Sequence, residues 1–418
     1  MQAIVRLAAS VLVVASCFVV GVSNAVAGGG GVVLPPVSPP PNLFPSWLSP
    51  WTSARYEPVT YQVPWISTPG QVAGGPYSLK SPTHGSFVSC KSTGPFGAPP
   101  QRLTSSANGR FGGTNLVASP CSAAPGPFCS AFPAVVTPEE IATAQANAYV
   151  SLQAFGDYFA GLGWYGIDGL GTPAKIEFGE ITTYLAHGWI PSTLSTHYCP
   201  HAQLHLDHHV HELVHGIVQT TANFEYNGSG TGGTVARVFN EAYADFFAEM
   251  VEFDAALPDT STIPGSPGDY IVVTGKNDPG VSGSFAAPPR PCHLDPLIGG
   301  QSGWYADGGP IRHAMYLLAE GTDPPSPLPH SNVCQGPTSL PGIGRTKTAE
   351  IFLSALVNCD WRADGVVLDY CDIRRCTIEA ASCPHRDSVI RAWNAVQLTS
   401  RACGVWDSQC PPAGDPGD

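Results

Sequence analysis

Residues 208–221 read HHVHELVHGIVQTT, and the whole fold turns on how that segment is read. His211 and His215 stand four apart, so on an α-helix they lie one turn from each other on a shared face. Glu212 follows the first of them. Seven of the chain's thirteen histidines fall between His197 and His215, so the pair can also be read as the densest part of a histidine-rich patch that holds ions loosely. An H-E-x-x-H run alone is a short pattern. Its reading depends on which other groups the chain brings within reach.

The next helical stretch supplies such groups. FNEAYADFFAEMVEFD, residues 239–254, places Glu241, Asp245, Glu249 and Glu252 at spacings that put all four carboxylates on one stripe. Tyr243, Phe246, Phe247 and Met250 fall on the other side. One reading is a solvated acidic face over a core-facing apolar one. The other starts from the glycine-rich loop NGSGTGG between the two helices, which permits a tight turn back. The carboxylates then point at the histidines. A catalytic zinc ion takes three protein ligands and keeps one position open. His211, His215 and Glu241 are the expected three. Asp245, one turn on, is expected to accept a ring N–H from a zinc histidine. Glu212 is placed to take a proton from a water that the ion polarises.

Composition sets the frame. The chain has 418 residues, 43% hydrophobic and only 12% charged, with 46 glycines and 42 prolines. A sizeable core and many loops follow. A net charge of -13 argues against a nucleic-acid partner, which needs basic patches. Residues 1–27 read as an export signal: Arg6, an apolar run, then small residues with cleavage after Ala27. An alternative is a lipoprotein anchored through Cys17. No later stretch is long enough to span a membrane. Removing Cys17 leaves twelve of the thirteen cysteines, and disulfides are expected in an exported chain. There is no C-x-x-C pair, no G-x-S-x-G elbow and no phosphate-binding glycine loop.

Residues 28–49 read as a proline- and glycine-rich linker. Residues 50–135 read as short strands and loops. At Thr137 the texture changes, with a capping box to Glu140 and Pro138 in the first turn, which predicts a helix to about Phe159. Further helices are predicted at 206–221, 239–254, 309–321, 346–358 and over RDSVIRAWNAVQL, residues 386–398.

With these segments laid out, the chain resembles the thermolysin-like zinc metallopeptidases. HELVHGIVQTTANFEY is similar to their active-site helix and the tyrosine after it, NEAYADFF to their glutamate-ligand motif, and GIGRTKTAEIFLSAL and VIRAWNAVQL to their C-terminal helices. AQANAYVSLQAFGDYF looks like their first long helix. The likeness covers roughly residues 136–400. It implies an α+β fold of two lobes: a β-rich N-terminal lobe, residues 50–222, ending in the H-E-x-x-H helix, and a helical C-terminal lobe, residues 223–402. A tail, residues 403–418, follows, and zinc lies in the cleft. It implies a secreted endopeptidase acting on proteins or peptides, with Glu212 as general base and Tyr226 and Tyr305 as donors to the oxyanion. Arg290 matches a substrate-binding arginine with a one-residue offset. Asp207 and Glu252 stand where the family holds calcium.

Three departures accompany the likeness. Tyr305 stands where the family carries a catalytic histidine, and neither His293 nor His313 aligns with it. The family's Asn-Ala edge-strand motif is not visible before the zinc helix, and neither is a long pro-segment. These departures keep open a second class of function, a zinc-retaining binding module. Among the other histidines, His208 shares the zinc face, while His197, His201, His205 and His209 are expected to be solvated or locally hydrogen-bonded.

Overall fold

The structure is a computed structural model of the chain. It describes residues 66–67, 77–78, 84–90, 101–102, 138–178, 187–198, 206–224, 233–256, 270, 285–286, 288, 292, 307–361 and 369–403. The segments read as an export signal and a linker, Thr137 and the 403–418 tail beyond its first residue lie outside these. Among the described residues no helix is long and apolar enough to cross a membrane.

The architecture is α+β: a small mixed sheet and a larger set of helices. Strands β1 (Ile66–Ser67) and β2 (Tyr77–Ser78) form an antiparallel pair of their own. The main sheet joins β3 (Phe87–Cys90), β4 (Gln101–Arg102), β5 (Lys175–Phe178), β6 (His187–Ile190) and β7 (Ser195–Tyr198) in the order β4-β3-β5-β7-β6. The central pairs, β3 with β5 and β5 with β7, are parallel; both edges are antiparallel. Strand β5 alternates as a sheet strand with one covered face should, burying Ile176 and Phe178. Helix α1 (Pro138–Gly161) links β4 to β5 and packs on the sheet.

The next two helices lie at the centre. Helix α2 (Leu206–Thr221) is buried from Leu206 to Val218. Helix α3 (Gly233–Ala255) is buried on nearly every side from Val235 to Phe253, and the two pack against each other. The acidic stripe of α3 is therefore not a solvated face: Glu241, Asp245, Glu249 and Glu252 are all buried. Its apolar side does meet the core. Phe247 packs on Phe159 of α1, and Tyr243 and Phe246 pack on Phe352 of a later helix.

Around this pair stand α4 (Gly309–Ala319), α5 (Arg345–Asn358), α6 (Tyr370–Ala380), α7 (Cys383–Ala395) and the short α8 (Ser400–Cys403). Helix α6 has no counterpart in the sequence expectations. Disulfides Cys359–Cys376 and Cys371–Cys403 tie it to the end of α5 and to α8, and Cys292–Cys334 joins Cys292 to the stretch after α4. The buried Arg374 donates from Nε to the Leu398 carbonyl, 3.0 Å away.

One glycine fixes how the sheet meets α2. Glycine inside a helix is unfavourable by itself. A Cβ on Gly216 would stand 2.6 Å from the Trp189 ring of β6. That ring has little freedom to retreat, because Trp189 is buried and its Nε1 donates to Gln219 Oε1 at 2.6 Å. The close approach is what the glycine provides. Gly216→Ala gains about 1 kcal/mol of helix propensity but overpacks the contact by about 1–3 kcal/mol. Thermal unfolding of the variant should show a net loss, and the loss should vanish in a Trp189→Leu background. An additive pair of effects would refute the contact as the cause.

Candidate metal centre

The sheet and α2 bring the first two groups together. His211 and His215 project from one face of α2, with their Nε2 atoms 3.1 Å apart. From α3 comes Glu241, whose Oε2 lies 3.3 Å from His211 Nε2 and 3.9 Å from His215 Nε2. All three residues are buried, and among the described residues they form the one group of three suited to a metal ion. A tetrahedral ion with bonds near 2.0–2.1 Å sets its ligand atoms about 3.3 Å apart. The three separations bracket that value.

The other ring nitrogens are held. His215 Nδ1 donates to Asn240 Oδ1 at 2.8 Å, and His211 Nδ1 lies 2.8 Å from Asp245 Oδ1. Both partners present acceptor oxygens to the Nδ1 atoms, an arrangement that lets each ring offer its Nε2 to an ion. The surroundings favour positive charge at His211. Burial alone would lower the His211 pKa, but the hydrogen bonds to Asp245 and Glu241 and the charges of Asp245 and Glu212 outweigh it. The ring is held well above the ordinary imidazole value. The residues present therefore fit a divalent ion with nitrogen and oxygen ligands.

Glu212 sits beside this cradle. Its Oε2 accepts the backbone N–H of Trp189 in edge strand β6 at 3.0 Å and lies 3.9 Å from His215 Nε2. His208, one turn earlier on the same face, brings its Nε2 to 3.9 Å from Glu212 Oε1. His209 is fully buried instead of solvated, with Nδ1 at 3.0 Å from Ser151 Oγ and its ring edge-on to Tyr198. His197 pairs with Glu177 at 3.1 Å and with Ser195. His313 lies 2.8 Å from Ser331 Oγ. Asp207 and Glu252 are buried, Asp207 accepting the His208 amide, and among the described residues neither belongs to a further group of three ligands. Tyr226, Arg290, Tyr305, His201 and His205 lie outside the described residues.

Comparison with known proteins gives the same direction. No family model matches the chain. The transglutaminase-activating metalloprotease of Streptomyces mobaraensis is 28% identical over 292 residues, which are 64% of this chain and 35% of that protein. Bacillolysin of Bacillus caldolyticus is 32% identical over 157 residues, 35% of this chain and 24% of that protein. The chain is a relative of the thermolysin-like metallopeptidases. It spans about a third or less of the length of these curated relatives. Among solved structures, the precursor of protealysin, a metalloproteinase from Serratia proteamaculans, overlaps 61% of this chain and 79% of that chain, with a TM-score of 0.44 at 17% identity.

For a thermolysin-like relative, three participants went unread in the sequence. Asn240 holds the second histidine, the Trp189 amide holds Glu212, and Arg312 of α4 is ion-paired with Asp245. Arg312 left a signal, a lone charge inside the apolar run PIRHAMYLL. Both members of the Asp245–Arg312 pair are buried. Arg312→Met leaves the Asp245 charge without that cation, at a cost of about 3–5 kcal/mol. Urea unfolding should show this as a lower midpoint, with a substantial part restored in the Asp245→Asn, Arg312→Met double variant. A midpoint within error of wild type would remove the pair from the structural account.

Proposed function

We propose that the chain is an exported zinc-dependent endopeptidase of the thermolysin-like kind. The observation that carries this reading is the His211, His215 and Glu241 cradle, with donor atoms at separations near those of a tetrahedral ion and each imidazole held from behind. His211, His215 and Glu241 would hold the ion, with Asp245 and Asn240 orienting the rings. A bound zinc ion supplies Lewis acidity, which acidifies water and polarises a peptide carbonyl.

Everything else falls to the chain's own residues. Glu212 takes the proton from the attacking water and delivers it to the leaving amine. The Trp189 amide holds Glu212 Oε2, the oxygen that lies 3.9 Å from His215 Nε2, and so fixes the carboxylate beside the cradle. Tyr226 and Tyr305 serve as hydrogen-bond donors to the developing oxyanion, and Arg290 as a substrate contact. A tyrosine at position 305 donates a hydrogen bond but cannot place a full positive charge there, which predicts slower turnover than a histidine would give. The substrates are proteins or peptides bound between a sheet-bearing lobe and a helical lobe. Asp207 and Glu252 are proposed calcium ligands, to be completed by further oxygen donors.

Metal analysis of the purified chain should give one tightly held zinc per molecule. Casein hydrolysis should be lost on chelation and restored by zinc. Glu212→Gln should retain the zinc while losing about a hundredfold to ten-thousandfold in rate. Full zinc occupancy with no hydrolysis by the wild-type chain would mark it instead as a metal-retaining binding module. Several weakly held ions per chain would make the cluster a storage patch.

A further inference from the structure

The two imidazoles of the cradle are held in different ways. His215 Nδ1 lies 2.8 Å from the amide oxygen of Asn240, the residue before Glu241 on α3. His211 Nδ1 lies 2.8 Å from Asp245 Oδ1, and the other oxygen of that carboxylate, Oδ2, accepts from Arg312 Nη1. One ring therefore ends on a neutral amide. The other ends on a carboxylate that a third helix, α4, grips from behind.

Arg312 is an unfavourable group to keep at that place. Every residue of α4 from Gly309 to Ala319 is buried, and Arg312 and Asp245 are almost fully enclosed. Taking both charges out of water is costly, and a buried ion pair often stabilises a fold no better than a well-packed apolar pair of similar size. Stability alone is thus a weak reason for the pair. Its position is a stronger one, since Asp245 stands one contact from a candidate metal ligand.

The torsions that aim these groups are soft. The terminal torsions of aspartate and histidine side chains are broad and lack narrow staggered wells. A carboxylate bonded to the ring alone could swing together with it. With Oδ2 fixed by the guanidinium, Oδ1 keeps one direction, and the hydrogen bond then sets the tilt of the ring. That tilt places His211 Nε2, the atom 3.3 Å from Glu241 Oε2 and 3.1 Å from His215 Nε2. We propose that Arg312 is a positioning residue for the metal: acting through Asp245, it fixes His211 Nε2 in the cradle and so raises the affinity of the site for zinc. The inference rests on the reading of the cradle as a zinc site. It makes the seating of α4 a determinant of that site, beside the contact of α2 with α3.

The test is the zinc affinity of the intact chain, measured by competition with a chromophoric chelator, and it needs no hydrolysis. The wild-type affinity examines the metal reading, and the ratio of variant to wild type examines Arg312. Groups that orient a metal ligand from behind are worth about tenfold to a hundredfold in affinity, and Arg312→Met should lose that much. Asp245→Asn should lose a similar factor. The Asp245→Asn, Arg312→Met double variant should lose no more than Asp245→Asn alone, because the arginine acts through the carboxylate. Arg312→Lys keeps the charge and a donor and should recover most of the loss, and it decides the matter even if Arg312→Met folds poorly. Arg374→Met is the control for general destabilisation: it removes another buried arginine, on α6 and bonded to the Leu398 carbonyl, and should bind zinc as wild type does. The proposal is overturned if Arg312→Met binds zinc as tightly as wild type, or if its loss adds in full to that of Asp245→Asn. It is equally overturned if Arg312→Lys is no better than Arg312→Met, or if Arg374→Met weakens zinc to the same extent.

Discussion

The contact between the α2 imidazoles and Glu241 of α3 is the constraint from which the rest of the molecule can be understood. Both helices are enclosed, yet their shared surface carries histidines, carboxylates and an amide. Polar groups in such a position must find partners inside the protein. The structure meets this demand by chaining them: Asn240 to His215, His215 to His211, His211 to Asp245, and Asp245 to Arg312. Within that chain and Glu241 beside it, two carboxylates face one guanidinium, so the centre is negative and favours a bound cation. The same features that would make the core unfavourable for burial make it a strong place for a divalent ion.

Position within the cradle depends on one residue of the sheet edge. Trp189 meets α2 three times: its amide binds Glu212, its ring lies in the space left by Gly216, and its Nε1 reaches Gln219. These contacts span two turns of one helix face. They fix edge strand β6 against α2, and they fix Glu212 against the histidines. A carboxylate on a loose side chain would spend much of its time elsewhere. Here its orientation is set by backbone, which side-chain fluctuation does not easily disturb.

What could be read in the sequence was whatever covalent spacing dictates. A spacing of four from His211 to His215, and of four from Glu241 to Asp245, decides a shared helical face before any tertiary contact forms. Helix α2 accordingly has the expected bounds, and α3 contains the expected segment. Spacing does not say what lies opposite that face. The acidic stripe was compatible with solvent, and only the enclosure of α3 makes it internal. Of the two states expected for His209, solvated or locally bonded, the structure shows the bonded one, against Ser151 and beside Tyr198, because α2 has no exposed side until its last turn. Helix α6 was not read from the sequence because YCDIRRCTIEA is polar overall, although Tyr370, Ile373, Thr377 and Ile378 recur at helical spacing. It is specified by a capping box between Asp369 and Asp372 and by two disulfides, which join residues that no local window contains. Arg312 is the intermediate case, visible as an anomaly in an apolar helix but with a partner known only from the fold.

These separations in chain position bear on the metal itself. The candidate ligands come from two helices, and the groups that hold their rings come from α3 and, through Arg312, from α4. An ion that needed to assemble such a set from mobile parts would lose much of its binding free energy to ordering them. Packing of α2 on α3, and of Phe247 and Phe352 behind them, contributes to that ordering. Apolar burial on the far side of α3 thus stabilises the polar arrangement on its near side. The affinity of the cradle is therefore a property of the core as much as of the three ligand atoms, and substitutions that loosen α3 from α1 or α5 act on the metal without touching it.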